Sequence, residues 1–300
     1  MPARMVLDGG SATELERKGY DVSGTLWSAR ALIDAPDLVR AVHLDYLAAG
    51  ADCISTASYQ LSFAGMQEAG FSATEPVAAL RQSVLLAREA CAISAQTTGR
   101  HAVVAASLGA YGASLHNGSE YHGNYACTFQ ELVDFHRSRI EVLAAMGDGG
   151  ADILAFETIP SLEEARAILV ALEGNPSLPG WIAFTCRNGS EVAHGEPIAE
   201  CAALLDTHPQ IAAMGLNCTS PSLVISLLDE LRSQTAKPLV VYPNSGQVWD
   251  AEERCWLGDG DLSFSEMIGS WLDHGAGWVG GCCGTGPAHI AEIRRVMDAG

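Results

Sequence analysis

Asp152-Ile153-Leu154-Ala155-Phe156-Glu157 is an apolar run that ends in a carboxylate, and a short turn leads from it to Ser161 and a stretch over 162–172. The run has the length and character of a buried strand, and the stretch after it has the periodicity of a helix packed on one face. Ser161 with Glu164 three residues later reads as a capping box at the helix start. The same unit recurs along the chain. Strands are predicted at 5–10, 51–56, 102–108, 152–157, 181–186, 212–218, 238–243 and 277–282. Helices are predicted near 37–49, 75–95, 128–146, 162–172, 198–207, 222–234, 264–274 and 287–297, the last with Pro287 at its first position. Such alternation is the signature of parallel βα architecture. Eight units in 300 residues fit a (β/α)8 barrel of the TIM type better than an open doubly wound sheet, which more often stops at five or six strands.

Composition sets the bounds around this fold. A hydrophobic content of 48% buries a large core, and with no linker visible a single domain over residues 1–300 is expected. No run approaches the roughly 18 apolar residues of a membrane span, and the N-terminus lacks the pattern of a secretory signal, so a soluble cytoplasmic protein is expected. A net charge of −19 repels phosphate backbones, which argues against a nucleic-acid partner and is compatible with a cationic or zwitterionic small molecule. The chain is read as a monomer or small homo-oligomer.

In a (β/α)8 barrel the chemistry sits at the C-terminal ends of the strands. There the sequence places Asp8-Gly9-Gly10-Ser11 after the first strand, Ser55 to Gln60 after the second, Glu157-Thr158 after the fourth and Asn217-Cys218 after the sixth. Asn244-Ser245-Gly246 follow the seventh strand and Cys282-Cys283 the eighth. Free cysteine is commonly buried as packing, and Cys53, Cys91, Cys127, Cys201 and Cys255 fit that role. Cys218, Cys282 and Cys283 do not. Glycines on both sides of the adjacent pair let two thiolates face one point, and strands six and eight are separated by one strand on the ring. An odd number of cysteines and the absence of a Cys-X-X-Cys motif argue against disulfide or redox chemistry. The three sulfurs are therefore read as a zinc site with Zn2+ held by three protein ligands, a fourth position being left for substrate as in catalytic sites.

These residues carry a resemblance that runs over essentially the whole chain. Asp8 to Glu16, Leu26-Trp27-Ser28-Ala29, Val42 to Tyr46, Ser58-Tyr59-Gln60, Gly118 to Tyr121, Glu157-Thr158, Gly215 to Cys218, Tyr242 to Gly246 and Gly280 to Cys283 appear in the order found in homocysteine S-methyltransferases. The chain resembles most the bacterial members that use S-methylmethionine. The resemblance implies a barrel in which Cys218, Cys282 and Cys283 bind zinc and homocysteine thiolate completes the tetrahedron. It further implies that Asp8 and Glu157 bind the substrate ammonium and that amides of Gly9, Gly10 and Ser11 receive its carboxylate. Asn244 is implied to take the vacant zinc position when homocysteine is absent.

The donor would be a sulfonium, S-methylmethionine or S-adenosylmethionine, since its leaving group is a neutral thioether. Aromatic faces attract such a cation, and Trp27, Tyr59, Tyr111, Tyr121 and Tyr125 fall on loops after strands one to three, with Tyr59 foremost. The long polar segment 109–127 reads as a lid. Competing readings are a betaine-dependent enzyme, whose extra segments are not found, and a non-catalytic homocysteine or zinc carrier, which would need neither donor pocket nor lid. Gly284 and Gly286 stand where relatives usually have an arginine and a threonine, and His194 where they commonly have an aspartate. Cys186 is read as a neighbour of the site and not as a ligand.

Overall fold

The computed structural model describes residues 2–22, 27–175, 177–246, 248–250, 255–257 and 264–299. One parallel sheet contains β1 (Met5–Val6), β2 (Cys53–Ser55), β3 (Val103–Gly109), β4 (Ile153–Ile159), β5 (Gly180–Phe184), β6 (Ile211–Asn217), β7 (Leu239–Tyr242) and β10 (Ala276–Val279). Its strand order is β1-β10-β7-β6-β5-β4-β3-β2, and a parallel bridge between Leu7 and Cys53 joins the two ends into a barrel. Asp52 holds this seam. Its amide donates to the Val6 carbonyl at 2.7 Å, and its Oδ2 accepts the Val6 amide at 2.9 Å. Arg100 and Arg294 pair with the same carboxylate at 2.6 and 2.9 Å.

The connecting helices are α3 (Pro36–Ala48), α5 (Glu75–Thr98), α6 (Phe129–Ala144), α7 (Leu162–Leu172), α8 (Ile198–Asp206), α9 (Val224–Arg232), α10 (Phe264–Asp273) and α11 (Pro287–Ala299). The (β/α)8 expectation is met unit by unit. Shorter elements that periodicity does not reveal occupy the loops: α1 (Ser11–Arg17), α2 (Trp27–Asp34), α4 (Phe63–Glu68) and an antiparallel hairpin of β8 (Val248–Asp250) with β9 (Cys255–Leu257). Among the described residues, no helix is long and apolar enough to cross a membrane.

Alternation along the strands sorts the core into two layers. Met5, Leu7, Ile153, Ala155, Trp181, Ala183, Val240, Tyr242 and Trp278 fill the barrel interior, while Val6, Leu154, Phe156, Ile182, Phe184 and Val241 meet the helices. Trp181 and Trp278 pack edge to face at 5.7 Å, and both indoles are satisfied, Trp181 by the Tyr242 hydroxyl and Trp278 by the Pro2 carbonyl, each at 3.0 Å. These large side chains plug the barrel and leave the polar residues to its other end.

Helix starts conform to the sequence reading with one correction. Ser161 caps α7, its hydroxyl accepting the Glu164 amide at 3.1 Å, but the Glu164 side chain does not bond back as a capping box requires. Its carboxylate is fully buried and turned toward the Tyr111 amide at 2.6 Å, His136 Nε2 at 2.9 Å and the Tyr125 hydroxyl. A capping box does form at α6, between Thr128 and Glu131.

Candidate active site

The loops after the strands enclose an open cavity of about 720 Å³, solvent at its mouth included. Asp8, Glu157, Cys218, Cys282 and Cys283 all line it, together with Gly9, Gly10 and Ser11. Asp8 stands just past the seam at Leu7. Glu157 continues the inward parity of Ile153 and Ala155 on β4. Gly10 is required by crowding, because a Cβ there would lie 2.7 Å from the Cys282 carbonyl oxygen. The first loop can thus press against the loop that carries the paired cysteines.

Backbone bonds build the cysteine turn. β10 ends at Val279, so strict alternation no longer governs Cys282 and Cys283 and both can face the cavity. The Cys282 amide donates to Pro243 O at 2.8 Å, Ser245 N donates to Cys283 O at 2.9 Å, and Thr285 Oγ1 donates to Cys282 O at 2.6 Å. Cys218 follows β6 with φ of 45°, anchored by its amide on Tyr242 O at 3.3 Å. The three sulfurs lie within 4.8 Å of one another, and among the described residues they form the cluster able to hold a metal. Cys186 stays outside it, its amide bonded to Thr219 Oγ1 at 3.0 Å.

The sulfur spacing tests the fit to zinc. Ligands about 2.3 Å from a tetrahedral zinc lie about 3.8 Å apart. Cys283 Sγ is 3.8 Å from Cys218 Sγ and 3.9 Å from Cys282 Sγ. The remaining pair corrects the expectation of three free thiols, because Cys218 and Cys282 are joined as a disulfide with their Cα atoms 5.5 Å apart. The convergence that suits a metal also brings two thiols within bonding reach, and counting cysteines cannot show this. Disulfide and metal use the same sulfurs, so ligation needs the reduced form. Burial, followed by the nearby Glu120 charge, pushes the Cys283 thiol up to about 12. Among the described residues, no Lys, Arg or His lines the cavity to offset this. A bound cation of +2 charge is what would make three thiolates stable here.

Both carboxylates are buried and shifted upward. Asp8 is pushed up to about 8, by burial first and by the Glu157 charge, against the lowering effect of hydrogen bonds from Ser55. Those bonds run from Ser55 N at 2.7 Å and from Ser55 Oγ at 3.0 Å. Glu157 is pushed up to about 7 by burial, with Ser107 and Tyr242 pulling the other way. Its Oε1 is buried without a hydrogen-bond partner. A buried, unpaired acceptor beside a second carboxylate is a place prepared for a cation that donates hydrogen bonds, such as an ammonium group.

Other sequence-predicted residues divide. Tyr59 and Tyr121 line the cavity. Tyr111 and Tyr125 do not, because they stack on each other at 5.2 Å, with Tyr111 also 5.2 Å from Phe135, and both reach Glu164. They pack against α6 and α7 instead. Trp27 opens α2, and its side chain lies outside the described residues, as does that of Cys255. The Gly10 amide donates to Thr285 O at 3.2 Å. Asn244 Oδ1 accepts the Gly246 amide at 3.1 Å, the local loop bond typical of asparagine. Gly284 has φ of 77°, and a Cβ on Gly286 would meet Arg17 Nη1 at 2.5 Å. His194 is exposed and pairs with Glu196 at 3.1 Å. Sequence reasoning gave no role to Ser107, Tyr242 or Asn217, though the inward parity of Tyr242 two residues after Val240 was a usable signal.

The geometry agrees with comparisons to known proteins. The family described as homocysteine S-methyltransferase matches residues 5–297. The homocysteine S-methyltransferase YbgG of Bacillus subtilis (strain 168) is 45% identical over 295 residues, covering 96% of this chain and 93% of that protein. Crystal structures of the Escherichia coli homocysteine methyltransferase MmuM superpose with TM-scores of 0.88 for the metallated form and 0.87 for the oxidized form. Both are 38% identical and cover 98% of this chain and 96% of theirs. A barrel with three sulfurs and two buried carboxylates at its mouth, matched over nearly its whole length in both sequence and structure, belongs to the homocysteine S-methyltransferase family.

Proposed function

We propose that this enzyme moves a methyl group from a sulfonium donor to homocysteine held on zinc by Cys218, Cys282 and Cys283, giving methionine. S-methylmethionine is the first donor and S-adenosylmethionine the second. The observation that carries the reading is that three converging sulfurs, two of their three separations at tetrahedral spacing, and a buried carboxylate with one unpaired oxygen face one cavity. Zinc supplies the positive charge that keeps the acceptor sulfur deprotonated near neutral pH, where a free thiol with a pKa near 8.5 is mostly protonated. Glu157 and Asp8 take the ammonium end of homocysteine, which fixes the other end of the molecule relative to the sulfurs. Tyr59 and Tyr121 present aromatic faces on the donor side. In the transfer the donor C–S bond breaks with its electron pair staying on the donor sulfur, and a new C–S bond forms to the acceptor. The leaving group is a neutral thioether, so no general acid is required.

The test supplies purified, reduced enzyme with homocysteine and each donor separately. S-methylmethionine should yield two methionines per turnover, one from each partner. Betaine should fail, because its smaller cation leaves unfilled the space that receives the amino-acid portion of S-methylmethionine. Efficient turnover with betaine and none with either sulfonium would sink the reading. Tyr59→Ala should raise the donor KM by roughly 2- to 30-fold, the loss of about 0.5–2 kcal/mol of cation attraction, with a smaller change in the homocysteine KM.

Acidity at the site gives a second expectation. The two carboxyls titrate upward of their usual range and interact, so they hold protons near neutral pH until an ammonium arrives. Homocysteine affinity should fall as pH drops from 8 through 7, because the receiving carboxylates then become protonated and neutral. Glu157→Gln should flatten part of this profile. A homocysteine affinity that is independent of pH over this range would rule out carboxylate recognition.

A further inference from the structure

Asn217 closes β6 with 1% of its surface exposed. Its Oδ1 accepts the Thr158 amide at 2.7 Å, and its Nδ2 donates to Thr158 Oγ1 at 2.9 Å and stands 3.9 Å from Cys282 Sγ. One amide group therefore touches both the residue after Glu157 and a cysteine of the sulfur cluster. Its partner Thr158 is strained: φ is 58°, a left-handed conformation that a β-branched residue adopts only when its surroundings hold it there.

The strain has a geometric purpose. Between β4 and β5 the register passes from Phe156 opposite Ile182 to Ile159 opposite Phe184, so β4 spends one residue more than β5. This is a β-bulge at Glu157-Thr158. Without it, alternation would turn Thr158 outward with Phe156 and put Ile159 into the mouth. With it, Glu157 and Thr158 both line the cavity and Ile159 packs with the outer core. Thr158 also partners the Tyr59 hydroxyl, so the bulge touches the donor side as well.

We propose that Asn217 is a positioning residue, clamping the bulge so that the Glu157 carboxylate aims at the acceptor's ammonium while its own Nδ2 sets the place of Cys282. The clamp ties the ammonium end of the acceptor to its sulfur end. This rests on the reading of Glu157 given above.

The test is calorimetric titration of reduced, metal-loaded enzyme with homocysteine and with 4-mercaptobutanoate, which keeps the thiol and carboxylate and lacks the ammonium. Asn217→Ala should weaken homocysteine by about ten- to hundredfold, the range for losing buried hydrogen bonds to a charged or constrained partner. Binding of 4-mercaptobutanoate should change far less, and the metal-to-protein ratio should stay at the wild-type value. Adding Thr158→Gly to Asn217→Ala should restore most of the preference, because glycine takes a positive φ without a clamp. Thr158→Val keeps the branched shape, removes the Oγ1 bonds to Asn217 and Tyr59 while leaving the Thr158 amide on Asn217 Oδ1, and should shift the preference the same way by a smaller factor. It decides the matter if Asn217→Ala does not fold. Equal losses for both ligands, or no rescue by glycine, would overturn the clamp and leave Asn217 a packing residue. Glu157→Gln separates the two claims. If it leaves the preference for homocysteine intact, the reading of Glu157 fails and the clamp with it; if it abolishes the preference while Asn217→Ala retains it, the clamp alone fails.

Discussion

Replacing Cys218, Cys282 or Cys283 with Ala is expected to reduce methyl transfer by at least about a thousandfold while leaving the barrel folded. Loss of acceptor ionisation alone accounts for roughly 30-fold at pH 7, since a thiol of pKa near 8.5 is a few per cent thiolate there. Losing the fixed position of the acceptor sulfur removes at least another factor of about one hundred, as orientation effects are commonly larger than that. The fold should survive because the sulfurs lie beyond the last strand residues and outside both core layers: β6 ends at Asn217 and β10 at Val279. Metal analysis under reducing conditions should give about one zinc per wild-type chain and little in each variant. Full metal retention in any one variant would remove that residue from the ligand set. Reductant is essential to the comparison, since the Cys218–Cys282 disulfide occupies two of the three sulfurs.

The barrel was legible because its signal repeats. Each βα unit restates the same alternation, so an error of four residues at one strand end, 5–10 against Met5–Val6, does not disturb the whole. Such ends are overextended because Leu7, Gly280 and their neighbours remain apolar or small after the last ladder bond. Short loop elements gave no comparable signal; α4 spans Phe63–Glu68 with Gly65 inside it, too few residues to show a helical period. At the site, cysteine pairs and a carboxylate ending an apolar run were visible as local oddities. Bonds between distant residues were not. Asn217 and Thr158 are 59 positions apart, and nothing at either position announces the other. That Tyr111 and Tyr125 stand off the cavity was hidden for a related reason: an aromatic residue on a loop looks the same in sequence whether it meets a ligand or Phe135. The cap at Ser161 was half right because Glu164 has a stronger claim on it, a buried hydrogen bond with His136.

Glu157→Gln is expected to lower kcat/KM for homocysteine by about one to two orders of magnitude, the cost of losing a buried charge-assisted hydrogen bond to the ammonium. Zinc content should be unchanged, because the carboxylate is assigned to the ammonium and not to the metal. Stability should move in the opposite direction. Glu157 rises from 4.5 to about 7 on folding, chiefly through burial, so folding disfavours its charged form. Below pH 4.5 both folded and unfolded chains hold the proton and the substitution is neutral in this respect. As pH rises the unfolded chain ionises first, and above about 7 the wild type bears the full penalty, on the order of 3 kcal/mol if Glu157 titrated alone. The variant should therefore melt at a higher temperature than wild type at pH 8 and at nearly the same temperature at pH 4.5. Homocysteine should stabilise the wild type more than the variant, since its ammonium neutralises that same charge. A variant that melts lower than wild type at pH 8 would show that Glu157 holds the barrel mouth together, and its loss of activity could then no longer be assigned to recognition of the ammonium.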